Sequence, residues 1–64
     1  MHRRAARDML RDALNEGCIT DAEEALKALR WTRDFFVAWM SRNIDAEIAS
    51  MWQIHIERDL PFKS

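Results

Sequence analysis

Apolar positions recur at helical spacing along most of the chain. Ala6, Met9, Leu10, Ala13 and Leu14 follow the i, i+3, i+4, i+7 rule of one buried stripe, and Arg3, Arg4, Arg7, Asp8, Arg11, Asp12 and Asn15 fill the rest of the wheel. This predicts a helix over about 2–16. Gly17 then suits the residue after a helix, where the chain turns left-handed at no steric cost to glycine. A second stripe, Ala22, Ala25, Leu26 and Leu29, opens a helix predicted over 21–42, roughly 33 Å long at 1.5 Å per residue. Thr20 is placed to cap it, with Glu23 completing a capping box and Asp21, Glu23 and Glu24 at the positive end of the helix dipole. Ile19, between stop and start, is expected to tuck into the core.

The second half of that helix breaks the pattern. Trp31, Phe35, Phe36, Val37, Trp39 and Met40 spread over about 240° of the wheel at 100° per residue. Asn43 can end the helix and Asp45 can cap a third, predicted over 45–59, with Ile44, Ile48, Met51, Trp52, His55 and Ile56 on one broad face and Ile54 off it. Pro61 biases Leu60 out of the helical region. One continuous helix from 21 to 59 is the alternative, because Ser41-Arg42-Asn43 interrupts only weakly.

With one glycine, one proline and few β-branched residues, the chain has little material for hairpins. The fold class expected is all-α: a single helical domain over 1–64, as a three-helix antiparallel bundle or a helical hairpin. Sixty-four residues bury only about 60% of their unfolded surface, so association with another chain is a natural source of stability. The lone Cys18 cannot form an internal disulfide, which favours a reducing compartment. No run reaches the roughly 18 apolar residues of a membrane span. The charged start has no apolar stretch behind it, unlike a signal peptide. A soluble, cytoplasmic protein is the expectation.

Net charge is −1, but it is unevenly laid out. Arg3, Arg4, Arg7 and Arg11 crowd the first twelve residues against Asp8 and Asp12, while Glu16, Asp21, Glu23 and Glu24 follow with no cation between them. Arg4, Arg7 and Arg11 share a helix face that can grip phosphates or an acidic partner; interleaved aspartates also suit a plain solvated face. Catalysis would need a constellation, and none is legible. Cys18 lies near a helix start, which lowers a thiol's pKa, but no histidine is near it in sequence. His55 can pair with Asp59 four residues on. His2, Cys18 and His55 lack the spacing of zinc ligands. No enzyme activity, cofactor or metal is expected. A helix-turn-helix reading fails on Glu16, which occupies the place of an apolar anchor, and on the acids that open the next helix.

Two resemblances add to this. The pattern from Leu10 through Gly17, Ile19 and Thr20 to Glu23 looks like the turn of short helical-hairpin modules at the ends of many bacterial proteins, which implies a hairpin and no activity. As a whole, the chain resembles the small early-region accessory proteins of temperate (lambdoid) bacteriophages. The likeness lies in its size, its Arg- and Trp-rich helical style and its ending Asp59-Leu60-Pro61-Phe62-Lys63-Ser64. It implies a regulatory or host-directed role in a bacterial cytoplasm.

The function expected is therefore a small helical interaction module that self-associates, as a homodimer, and masks or modulates a larger protein. The oversized apolar arc supplies the expected interface: Trp31, Phe35, Trp39, Met40, Trp52 and Ile54. The alternative is a nucleic-acid-binding accessory that uses Arg3, Arg4, Arg7 and Arg11. No membrane partner is expected.

Overall fold

The computed structural model describes residues 1–64 as five helices: α1 (Arg3–Glu16), α2 (Ile19–Leu29), α3 (Arg33–Asn43), α4 (Ala46–Met51) and α5 (Gln53–Arg58). The chain is all-helical, as expected, but two of the three predicted helices are each divided in two. The molecule measures 28 × 23 × 21 Å.

α1 forms as its pattern dictates. Ala6, Leu10, Ala13 and Leu14 are buried, and the His2 imidazole caps the start by accepting from the Arg4 N–H at 3.1 Å. Gly17 ends the helix at φ 75°. The Cys18 N–H then turns back onto the Ala13 carbonyl at 2.9 Å, closing the left-handed end.

α2 starts two residues earlier than predicted. Cys18 is its N-cap and makes no side-chain cap bond, while Thr20 is exposed inside the first turn. The capping box does not form. Starting at Ile19 extends the stripe Ala22, Ala25, Leu26, Leu29 back by one position and places Ile19 against the core. Ile19 is half-buried there, so it gains part of the about 1.5–3 kcal/mol of a fully buried isoleucine, enough to offset the about 1 kcal/mol of a threonine cap.

α2 then stops at Leu29, where a continuous helix to residue 42 was expected. Arg30 takes the left-handed conformation (φ 56°, ψ 40°), and its N–H bonds to the Leu26 carbonyl. Thr32 caps α3, its Oγ1 accepting from the Phe35 N–H at 3.2 Å. The break solves the problem of the wide apolar arc. In an unbroken helix most of those large side chains would face water. The bend re-aims α3 so that Phe36, Trp39 and Met40, at i, i+3 and i+4, point inward, while Trp31 enters the core from the joint.

The C-terminal segment locks this joint. The Trp31 carbonyl, freed by the break, accepts from the Lys63 N–H at 2.9 Å. Phe62 packs on Phe36 with ring centroids 5.3 Å apart. The Arg33 guanidinium lies 5.8 Å from the Phe62 ring centre, and its Nε donates to the Ile56 carbonyl at 3.1 Å.

The boundary between α3 and α4 falls as the sequence indicates. The Asn43 side chain donates to the Trp39 carbonyl at 2.8 Å, Ile44 leaves the helix in an extended conformation, and Asp45 caps α4 through the Glu47 N–H. One helix from 21 to 59 is thereby excluded. The predicted third helix divides at Trp52 (φ −89°, ψ −4°), whose indole reaches the core and donates to the Leu14 carbonyl at 3.0 Å. This shifts the face: Trp52 and Ile56 are buried, but Met51, expected inward, is 76% exposed.

The core comprises sixteen buried residues, all apolar, and no buried side-chain nitrogen or oxygen lacks a partner.

Candidate interaction surface

Once α1 has buried Ala6, Leu10, Ala13 and Leu14, the same 3.6-residue period sets Arg4, Arg7 and Arg11 in a row along an exposed face. The fold then brings α3 beside that row. The result is a groove of about 400 Å³ lined by Arg4, Arg7, Asp8, Arg11, Trp39 and Asn43. Asp8 faces Arg11 at 3.6 Å, with both side chains largely solvated. Such an exposed, loose pair contributes little. Arg4 and Arg7 have no carboxylate within ion-pair distance. Arg3, included with the row at the sequence level, does not line the groove. Trp39 and Asn43 were not grouped with the arginines, because their place opposite α1 depends on the Arg30–Thr32 bend. Nothing local to either residue signals it.

The expected self-association interface looks different in three dimensions. Trp31 and Trp39 are each 7% exposed, Trp52 4% and Met40 2%, all within this chain's own core. The Trp31 and Trp39 rings lie 5.3 Å apart, and Trp39 stacks near Phe36 at 6.3 Å. The premise that these side chains need a second chain to cover them does not hold, since the bend and the C-terminal segment cover them. Phe35 and Ile54, at 52% and 54% exposure, remain outside. Phe35 rests on Trp31 with centroids 4.9 Å apart.

The chemically reactive residues are dispersed. Cys18 is half-buried at the start of α2. His55 does pair with Asp59, Nδ1 lying 3.1 and 3.4 Å from the two carboxylate oxygens. The pair carries charge on both sides only when the imidazole is protonated. No three His, Cys, Asp or Glu side chains converge as a metal site would require. No helix is long and apolar enough to cross a membrane. Compared with protein-family models, with curated proteins and with solved structures, the chain matches none.

Proposed function

We propose that the chain is a small helical interaction module that works by docking an acidic segment of another protein into the groove between α1 and α3. The observation that carries this reading is the makeup of the groove. Two arginines without a carboxylate partner and a third with a loose one stand beside the edge of a tryptophan and a side-chain amide. Arg and Trp are the residue types most enriched at the energetic centres of protein interfaces. Arg4 to Arg11 spans about 10 Å of helix axis at 1.5 Å per residue, a span that carboxylates spaced i, i+3 or i+4, i+7 on a partner helix match. A regulatory accessory role, of the kind the likeness to early phage proteins implies, fits a chain that binds rather than reacts.

Asp8 favours a protein partner over nucleic acid. Its carboxylate lies on the groove, where it repels a phosphate backbone but can accept from a partner's lysine or amide. The chain as a whole is also slightly acidic, with net charge −1, and supplies no long-range attraction for a polyanion.

The test is a titration of the isotope-labelled protein with an acidic helical peptide and, separately, with a 20-base-pair DNA duplex, each at two salt concentrations. The expected result is chemical-shift change at Arg4, Arg7, Arg11 and Trp39 with the peptide, abolished by Arg7→Glu. Tighter binding of the duplex, with a log–log salt slope near −3 for three neutralised phosphates, would establish the nucleic-acid reading in its place.

A further inference from the structure

A second concavity lies where the C-terminal segment crosses the end of α2. It is an open hollow of about 220 Å³ lined by Leu26, Lys27, Arg30, Pro61, Phe62, Lys63 and Ser64. Leu26 is fully buried, Pro61 and Phe62 are half-buried, and the three cations are exposed. No acidic side chain lines the pocket. No carboxylate anywhere on the chain comes within ion-pair distance of Lys27, Arg30 or Lys63. Three exposed cations around one hollow, with no acidic side chain among its lining residues, give it a positive local potential.

The backbone that carries two of these cations is fixed by the fold. Lys63 is held by its backbone bond to the Trp31 carbonyl, and Arg30 by its bond to the Leu26 carbonyl. Arg30 is also the only non-glycine residue at positive φ. Gly17, which ends α1 in the same left-handed conformation, has the residue that adopts it freely. At Arg30 the chain instead carries a side chain against the preference of its backbone, which is the kind of local strain that marks working positions.

We propose that this pocket binds a phosphate group, either as inorganic phosphate or as the phosphomonoester of a small molecule. Volume sets the first limit. Sites for drug-sized ligands run from about 300 to 1,000 Å³, so this one takes a single tetrahedral oxyanion with at most a short substituent. Charge sets the second. A phosphomonoester carries about −1.5 to −2 at neutral pH with three acceptor oxygens, which answers three cations better than a single carboxylate does. The Arg30 guanidinium offers the planar fork that binds phosphate through two parallel bonds, and the two ammonium groups act as point charges. The carbonyl end of α2 opposes an anion, but with only about half an elementary charge, and three full positive charges outweigh it.

The experiment is calorimetric and NMR titration of the intact protein with inorganic phosphate, O-phosphoserine and acetate. Either phosphate species is expected to bind at least about tenfold more tightly than acetate, since one added charge-assisted hydrogen bond is worth roughly that factor. The shifts should centre on Lys27, Arg30 and Lys63. Preference for O-phosphoserine would assign the site to a phosphomonoester, and preference for inorganic phosphate to the free ion. Arg30→Gly separates binding from folding: it removes the guanidinium while relaxing the backbone, so phosphate affinity should fall about tenfold as the melting temperature rises. Lys63→Gln should weaken binding similarly, and Arg58→Gln, outside the pocket, should not. Unchanged affinity in Arg30→Gly, equal binding of acetate and phosphate, or shifts centred on Arg4, Arg7 and Arg11 would overturn the proposal.

Discussion

Trp52→Phe tests how the two ends of the chain are tied together. The Trp52 indole N–H donates to the Leu14 carbonyl across thirty-eight residues of sequence, at 3.0 Å in a buried setting. Leu14 lies in the last turn of α1, where carbonyls have no partner within the helix. The amide that would serve it in a longer helix belongs to Cys18, which bonds to Ala13 instead. Phenylalanine cannot replace the donor, and a buried acceptor left unpaired costs about 1–3 kcal/mol. Shrinking an indole to a phenyl adds about 1 kcal/mol for the space vacated. The total, about 2–4 kcal/mol, is a large share of the roughly 3–10 kcal/mol available to 64 residues at 0.05–0.15 kcal/mol each. The melting temperature should drop by about 8–32 °C, at 4–8 °C per kcal/mol for a domain this small. Denaturant and thermal unfolding followed by circular dichroism measure both quantities. A benzothienylalanine residue at position 52 isolates the hydrogen bond, since it keeps the bicyclic shape and lacks the N–H. It should show about 1–3 kcal/mol of the loss. A benzothienyl variant within about 0.5 kcal/mol of wild type, inside the range of neutral substitutions, would refute the reasoning, because the Leu14 carbonyl would then gain nothing from the indole.

Three further outcomes are expected. Gly17→Val should destabilise by about 1–3 kcal/mol from backbone strain alone, since a Cβ there meets no atom within 4 Å; an unchanged midpoint in thermal melting would remove Gly17 from the left-handed region. Cys18→Asp should stabilise by about 1 kcal/mol by supplying the missing cap, and Thr20→Ala should be neutral or slightly stabilising, because Thr20 lies inside the helix and alanine is the better helix former; a loss near 1 kcal/mol in Thr20→Ala would restore the capping box. Trp39→Ala should cost about 3–5 kcal/mol as a core truncation, while Phe35→Ala costs under about 1 kcal/mol; light scattering that showed a wild-type dimer dissociated by Phe35→Ala would place a contact on that face after all.

Local chemistry determined the elements whose signals lie within one turn of chain. The α1 stripe, the Gly17 stop, the Asn43–Asp45 boundary and the Pro61 ending each follow from residues three or four positions apart, and the structure places them where the pattern does. The Arg4, Arg7, Arg11 row was legible for the same reason, since the face opposite a buried stripe is fixed by the helical period alone. The bend at Arg30–Thr32 had a local signal in Thr32 with Asp34 in the first turn, but the strong apolar run across it masked that signal. Only the assembled fold could decide between them. A straight helix would leave Trp39, Met40 or Phe36 in water at about 1.5–3 kcal/mol each. The bent chain buries all three and returns the Trp31 carbonyl a partner in Lys63. That partner is thirty-two residues away, as Leu14 is remote from Trp52, and no periodicity encodes such a meeting. The same tertiary choice carried Trp39 to the arginine row and Lys63 to Arg30, so the cations were visible in the sequence while the two hollows they line were not.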